Sequence, residues 1–160
     1  MQAAPDTDSR PTLLGRLGAH PVNNGAGGMD ELAKARYISL TTYKRDGQPV
    51  ATPVWIAGSG NPYRFTTGAT TWKARRLRHD PRVRVEVCDI RGRPKPGAAS
   101  FSGRGVVKED PGSVAEAEAA IARKYGWQFR VTKVVDRIRR LLHLGVPQAG
   151  AAVELTLDLR

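Results

Sequence analysis

The sequence predicts a mainly β, α+β domain: an antiparallel barrel of about six strands with peripheral helices. Three observations carry this. Runs rich in β-branched and aromatic residues, such as Tyr37–Tyr43, recur with turn signals between them. Asp46-Gly47 separates two such runs, which is a strong hairpin signal. Val83, Val85 and Val87 alternate with Arg82, Arg84, Glu86 and Cys88, the period of a strand with one buried face.

The elements follow in order. Residues 1–28 hold Pro5, Pro11, Pro21 and the run Asn23 to Gly28, the composition of a flexible N-terminal tail, so the folded domain is expected over 29–160. Met29 to Arg36 reads as a short helix, with acidic residues early and basic ones late. Tyr37–Tyr43, Pro49–Ala57 and Pro62–Thr67 read as three sequential strands, a meander. Thr71–His79 is a short helix that Asp80-Pro81 stops. Arg82–Asp89 is a strand, and Arg91–Ala98 is a cationic Gly/Pro loop. Ser100–Lys108 is another strand, in which Gly103 and Gly105 mark a bend or bulge. Ser113–Tyr125 is a helix, with Ser113 and Glu116 spaced as a capping box. A second, basic helix is expected over 131–144, and the strand Ala152–Leu159 closes the chain with Val153, Leu155, Leu157 and Leu159 on one face.

Composition narrows the classes of function. The 160 residues fit one domain, and 26 Lys and Arg against 15 acidic residues give a formal net charge of +11, which favours anionic partners. One cysteine, Cys88, forms no internal disulfide and no cysteine zinc cage; its apolar surroundings point to a buried structural thiol. No run reaches the roughly 18 apolar residues of a membrane span, and no apolar signal-peptide region is visible, so a cytoplasmic protein is expected. His20, His79 and His143 have no metal-ligand spacing, and no metal site is expected.

The chemistry concentrates in Thr66 to Leu77. Thr67 and Thr71 sit at a strand-to-helix junction, Lys73 falls in the first helical turn, and Arg75 and Arg76 follow. A helix N-terminus offers free N–H groups and a partial positive charge, so this segment is a candidate phosphate site; Thr and Lys at a helix start are equally the residues of an ordinary capped, solvated helix. Thr52-Pro53-Val54-Trp55 is the second candidate. Proline forfeits a ladder bond, so this strand is irregular or at an edge, and its freed backbone groups could meet a planar ligand with Trp55 as a wall; the other reading of Trp55 is core packing. The basic helix over 131–144 fits either an anionic surface or plain packing on the barrel, and Trp127 and Phe129 are either pocket walls or core.

Taken as a whole, the chain resembles the flavin/deazaflavin oxidoreductase superfamily, the pyridoxamine 5'-phosphate oxidase-like split β-barrels, and most of all its actinobacterial F420-dependent branch. The pattern Tyr37-Ile38-Ser39-Leu40-Thr41-Thr42 with Asp46-Gly47-Gln48-Pro49 through Trp55 carries the resemblance. So do Thr67, Lys73, Leu77 and Asp80-Pro81-Arg82-Val83, and the later Gly103-Arg104-Gly105-Val106-Val107. The match covers about residues 34 to 108.

The resemblance implies a homodimeric split barrel with the cofactor at the subunit interface. It implies Thr67 and Lys73 on the cofactor phosphate and the Pro53-Val54-Trp55 stretch along the ring, with Thr52, Thr71 and Arg76 as neighbouring contacts. The implied cofactor is coenzyme F420, with FMN or FAD as the alternative; Lys73, Arg75, Arg76 and Arg78 would suit the phosphodiester and oligoglutamate tail of F420. The expected activity is hydride transfer between the deazaflavin and a small conjugated substrate, without a dedicated acid; Tyr43 and Arg104 are the candidate proton donors. A flavin-binding oxidoreductase or a non-catalytic carrier of flavin or another ligand is the alternative within this fold. A basic nucleic-acid or membrane-surface protein is the alternative outside it, while neither nucleic acid nor stable membrane insertion is expected.

Overall fold

The computed structural model describes residues 26–127 and 150–158. In chain order these form α1 (Ala26–Lys34), β1 (Tyr37–Tyr43), β2 (Pro49–Trp55), β3 (Tyr63–Gly68), α2 (Trp72–His79), β4 (Arg82–Cys88), β5 (Ser100–Lys108), α3 (Pro111–Tyr125) and β6 (Gly150–Leu157). The six strands pair antiparallel in the order β2-β1-β4-β5-β6-β3 and curl into a half-barrel. The expected basic helix over 131–144, Phe129, His20, His143 and Leu159 lie outside the described residues, as does most of the expected tail; α1 begins at Ala26, inside the stretch read as tail.

The inner face is apolar because the strand period puts every second residue there. Ile38 and Leu40 stand opposite Val54 and Thr52 on one side and Val87 and Val85 on the other. Phe101, Val153, Leu155, Phe65 and Tyr63 continue the same surface, all of them almost fully buried. Leu32 of α1, Ala35 just past it and Leu77 of α2 join this core. α3 instead covers the outer surface, where Ile121 and Tyr125 pack with Ala57, Trp55 and Ala120.

Four expectations change. The first three strands are no meander: β1 and β2 pair, but β3 pairs with β6 at the far end of the sheet. Pro49 and Pro53, four apart, turn their nitrogens to the same side, and an edge strand tolerates this only on its outer side. β5 carries no bulge, since its register runs unbroken against both neighbours. Its glycines serve close approach instead. A Cβ on Gly103 would lie 2.2 Å from the Thr156 carbonyl oxygen, and one on Gly105 would lie 3.0 Å from Leu77 of α2. The cap of α3 is Asp110, whose carboxylate accepts the Ser113 N–H at 2.8 Å, with Pro111 in the first turn; Glu116 faces Arg64 at 3.9 Å. Finally, β4 is buried on both faces from Glu86 onward. The following loop returns along it through the Cys88–Pro94 bridge and a Lys95 N–H bond to the Val87 carbonyl, and Glu86 accepts from Arg84 at 3.0 Å. Cys88 is buried as expected, and burial raises its thiol pKa to about 11.

Candidate anion site at the mouth of the split barrel

β2 and β3 end the sheet order and face each other across a split. Among the described residues they are joined through the Ala57–Arg64 bridge, just past the end of β2, by two backbone bonds of 2.8 and 2.7 Å. Beyond that bridge neither strand has a ladder partner on its outer side among the described residues. α2 follows β3 and crosses to β1, where the Arg76 Nε donates to the Thr42 hydroxyl at 2.8 Å. Ala74 and Leu77 are the buried side of this helix, and Gly105 leaves the room that Leu77 fills.

The start of α2 is built around an unusual cap. Thr71 has the extended backbone of an N-cap, but its side chain caps nothing. Its hydroxyl donates back to the Gly68 carbonyl at 2.9 Å. The Thr67 and Thr71 hydroxyl oxygens are 3.1 Å apart. Because the Thr71 proton is already committed, Thr67 is the donor in that contact. The N–H groups of Trp72, Lys73 and Ala74 precede the first helical bond, from the Arg75 N–H to the Thr71 carbonyl, and receive no side-chain cap.

Two cations stand on this helix end. Lys73 and Arg76 are one turn apart and half-buried. Burial lowers the Lys73 pKa, and the Arg76 charge beside it lowers it further. Burial also lowers that of Arg76. Among the described residues no carboxylate pairs with either. Arg76 has a neutral hydroxyl as its partner, and Lys73 has none among the described residues. Such a pair is costly without an anion and favourable with one.

The remaining candidate residues divide by strand parity. Thr52 and Val54 lie on the inner face with Thr42, whereas Pro53 and Trp55 lie on the outer face with Tyr37. Trp55 stacks on Tyr125 with ring centroids 5.0 Å apart and meets Tyr37 at 6.4 Å. It stands opposite Tyr37, about 17 Å along β1 from Thr42. The structure therefore brings Thr67, Thr71, Lys73 and Arg76 together, with Thr52 diagonal to Thr42, and puts Trp55 elsewhere. Arg75 is exposed, its guanidinium 5.2 Å from the Trp72 ring. Arg78 is engaged by Glu109 and the Ala69 carbonyl, so it does not extend the cationic surface. Tyr43 lies under the Arg82 guanidinium at 5.1 Å, and Arg104 is exposed opposite Arg82; both are on the outer face. Trp127 is exposed. Sequence reasoning missed Thr42 as the anchor of Arg76. The signal was there, since a threonine in phase with Ile38 and Leu40 is a buried polar residue in need of a partner.

The family model described as Pyridoxamine 5'-phosphate oxidase matches residues 29–149. Among solved structures, a conserved hypothetical protein from Mycobacterium tuberculosis is 24% identical with a TM-score of 0.59, over 88% of this chain and 84% of that one. HutZ, the heme storage protein from Vibrio cholerae, is 14% identical with a TM-score of 0.54, over 82% of this chain and 86% of its own. These likenesses show the fold. No curated protein matches the chain.

Proposed function

Because the chain belongs to the pyridoxamine 5'-phosphate oxidase family, we propose that it is an oxidoreductase that holds coenzyme F420 by its phosphodiester at the start of α2 and reduces a small conjugated substrate. The observation that carries this is the pair Lys73 and Arg76, half-buried side by side with no carboxylate, on a helix whose N-cap threonine leaves the first N–H groups free. Charge-assisted bonds from two cations, a rotatable Thr67 hydroxyl and backbone N–H groups suit a phosphate ester. Arg75, solvent-facing and next along the helix, suits further carboxylates such as an oligoglutamate tail. This last feature favours F420 over FMN.

A bound deazaflavin supplies two-electron hydride chemistry. The protein's part is positional. Pro49 and Pro53 leave the free edge of β2 short of N–H groups and rich in carbonyl acceptors, which fits a ring edge that donates hydrogen bonds. Thr52 and Val54 lie on the inner face of β2, and Ala74 and Leu77 anchor α2 on the barrel so that its N-terminus is held in place. We further propose a homodimer with the cofactor at the subunit interface. Val106 and Ile90 are exposed apolar side chains, and the former lies on the outer face of β5.

The test is a titration of purified protein with F420, FMN and FAD, followed by fluorescence, with wild type beside Lys73→Ala. F420 should bind at micromolar levels or tighter, and the variant should bind at least about tenfold more weakly, or about 1.4 kcal/mol. Turnover of a conjugated substrate with the reduced cofactor completes the assignment. Preference for FMN or FAD would change the cofactor and keep the site. Binding of none of the three would overturn the proposal.

A further inference from the structure

A second cationic cavity lies on the outer side of the barrel, away from α2. It measures about 320 Å³ and is lined by Lys34, Arg36, Lys124, Tyr125 and Trp127. The chain ends of α1 and α3 converge there. We infer that this cavity is a binding site for a small aromatic anion, a carboxylate, phosphate or sulfonate on a one- or two-ring body, separate from the proposed cofactor site.

Charge sets the sign of the ligand. Among the described residues, three basic side chains line the cavity and no acidic one does. A helix C-terminus carries a partial negative charge of about half a unit, so a lysine at each helix end is expected without any ligand. Arg36, two residues past α1, adds charge that neither helix end requires. The Lys124 ammonium donates to the Ile56 carbonyl at 2.9 Å, and burial lowers its pKa with no carboxylate contributing.

Aromatic groups set the shape. Trp127 is exposed, and Tyr125 is held rigidly behind it. The Tyr125 hydroxyl shares its proton between the Arg36 carbonyl at 2.7 Å and the Ile56 carbonyl at 2.8 Å, and accepts the Ile56 N–H at 3.2 Å. Trp55 stacks against the tyrosine ring. The Tyr125 side of the cavity is therefore formed before any ligand arrives, which lowers the cost of ordering on binding. The volume is at the lower end of small-molecule sites, so a compact ligand fits.

The probe is 2-naphthalenesulfonate, with 2-naphthalenemethanol as its neutral counterpart, titrated calorimetrically into the full chain. Lys124→Met and Arg36→Gln remove charge, and the Ile56 carbonyl keeps the Tyr125 hydroxyl in both, so each variant should fold; thermal unfolding of each checks this. The sulfonate should bind about tenfold more tightly than the alcohol, and both variants should weaken it by about fivefold or more, while Lys73→Ala leaves it unchanged. Equal binding of the alcohol, loss of binding in Lys73→Ala instead, or no sulfonate binding would each overturn the inference. A failure of the cofactor titration with this result intact would leave it standing.

Discussion

The Nε of Arg76 donates to the Thr42 hydroxyl at 2.8 Å, and Thr42 is fully buried. One bond thus ties the helix that begins the anion site to the end of β1, and it fixes where the guanidinium points. Thr42→Val keeps the shape and removes the acceptor. Bonds from charged donors are worth about 1.5–3 kcal/mol, less where water can reach the donor, so a loss of about 1 kcal/mol in folding stability is expected. Affinity for FMN or F420 should drop about fivefold as Arg76 loses its orientation. Urea unfolding and the fluorescence titration read the two effects. Unchanged affinity in the valine variant would show that Thr42 does not position Arg76 for a ligand.

Lys73 should trade stability for binding. Its ammonium is half-buried beside Arg76 and its pKa lies below the ordinary lysine value, through burial first and Arg76 second. The unfolded chain therefore holds this proton more tightly than the folded one, and ligand-free stability attributable to Lys73 rises with pH as the group loses its proton in the alkaline range. Lys73→Met should stabilise the ligand-free protein by about 0.5 kcal/mol near neutral pH and weaken cofactor binding at least about tenfold. The stability gap between variant and wild type should close toward the ordinary lysine pKa. Denaturant midpoints of the two proteins from neutral to alkaline pH test it; a destabilised Lys73→Met protein would contradict the strain assigned to this pair.

Local pattern made the strands and the anion segment legible, because each depends on neighbours in sequence. Tyr37–Tyr43 and Ser100–Lys108 have the bounds that composition and flanking turn residues predict. Strand order was not legible. Nothing local says that β3 leaves β2 and pairs with β6, although Pro53 marks this strand as irregular or at an edge. The glycines of β5 were visible, but the approach of Thr156 and Leu77 that demands them comes from tertiary contact. Arg78 looked like one more cation in a row, and only the fold brings Glu109 to it. The role of Tyr125 was invisible for the same reason: its partners are 69 and 89 residues away.

Asp80 gives an acid-side prediction. Its carboxylate accepts from the Arg82 side chain at 2.7 and 3.0 Å and from the Arg82 N–H at 3.1 Å, at the junction between α2 and β4. The side-chain bond from Arg82 is the main cause that lowers its pKa to about 2. A depressed folded pKa means stability that is present above the unfolded value, about 3.9, and is lost as pH falls toward the folded one. Asp80→Asn should therefore be less stable than wild type at neutral pH, by a small amount because Arg82 is exposed. The difference should vanish as pH falls to about 2. Paired urea midpoints across the acid range test this, and a gap independent of pH would show that the carboxylate charge is not what matters.

Tyr125 separates packing from hydrogen bonding. Phenylalanine at this position retains the stack on Trp55 but strips the hydroxyl from the Arg36 and Ile56 backbones. Ile56 is fully buried, so its N–H loses an acceptor without gaining water. A buried donor left unmet costs about 1–3 kcal/mol, and Tyr125→Phe should destabilise by that amount. Because burial chiefly raises the hydroxyl pKa to about 12, this stability should be full below the unfolded tyrosine value of about 10 and be lost as pH rises from there toward about 12. Binding at the α2 site should be unchanged, since Tyr125 sits on the opposite face of the sheet from Thr42 and Arg76. Chemical unfolding beside the cofactor titration reads both. A variant as stable as wild type would mean that the Ile56 N–H finds another acceptor, and one that loses cofactor affinity would show that the two faces are coupled through β1.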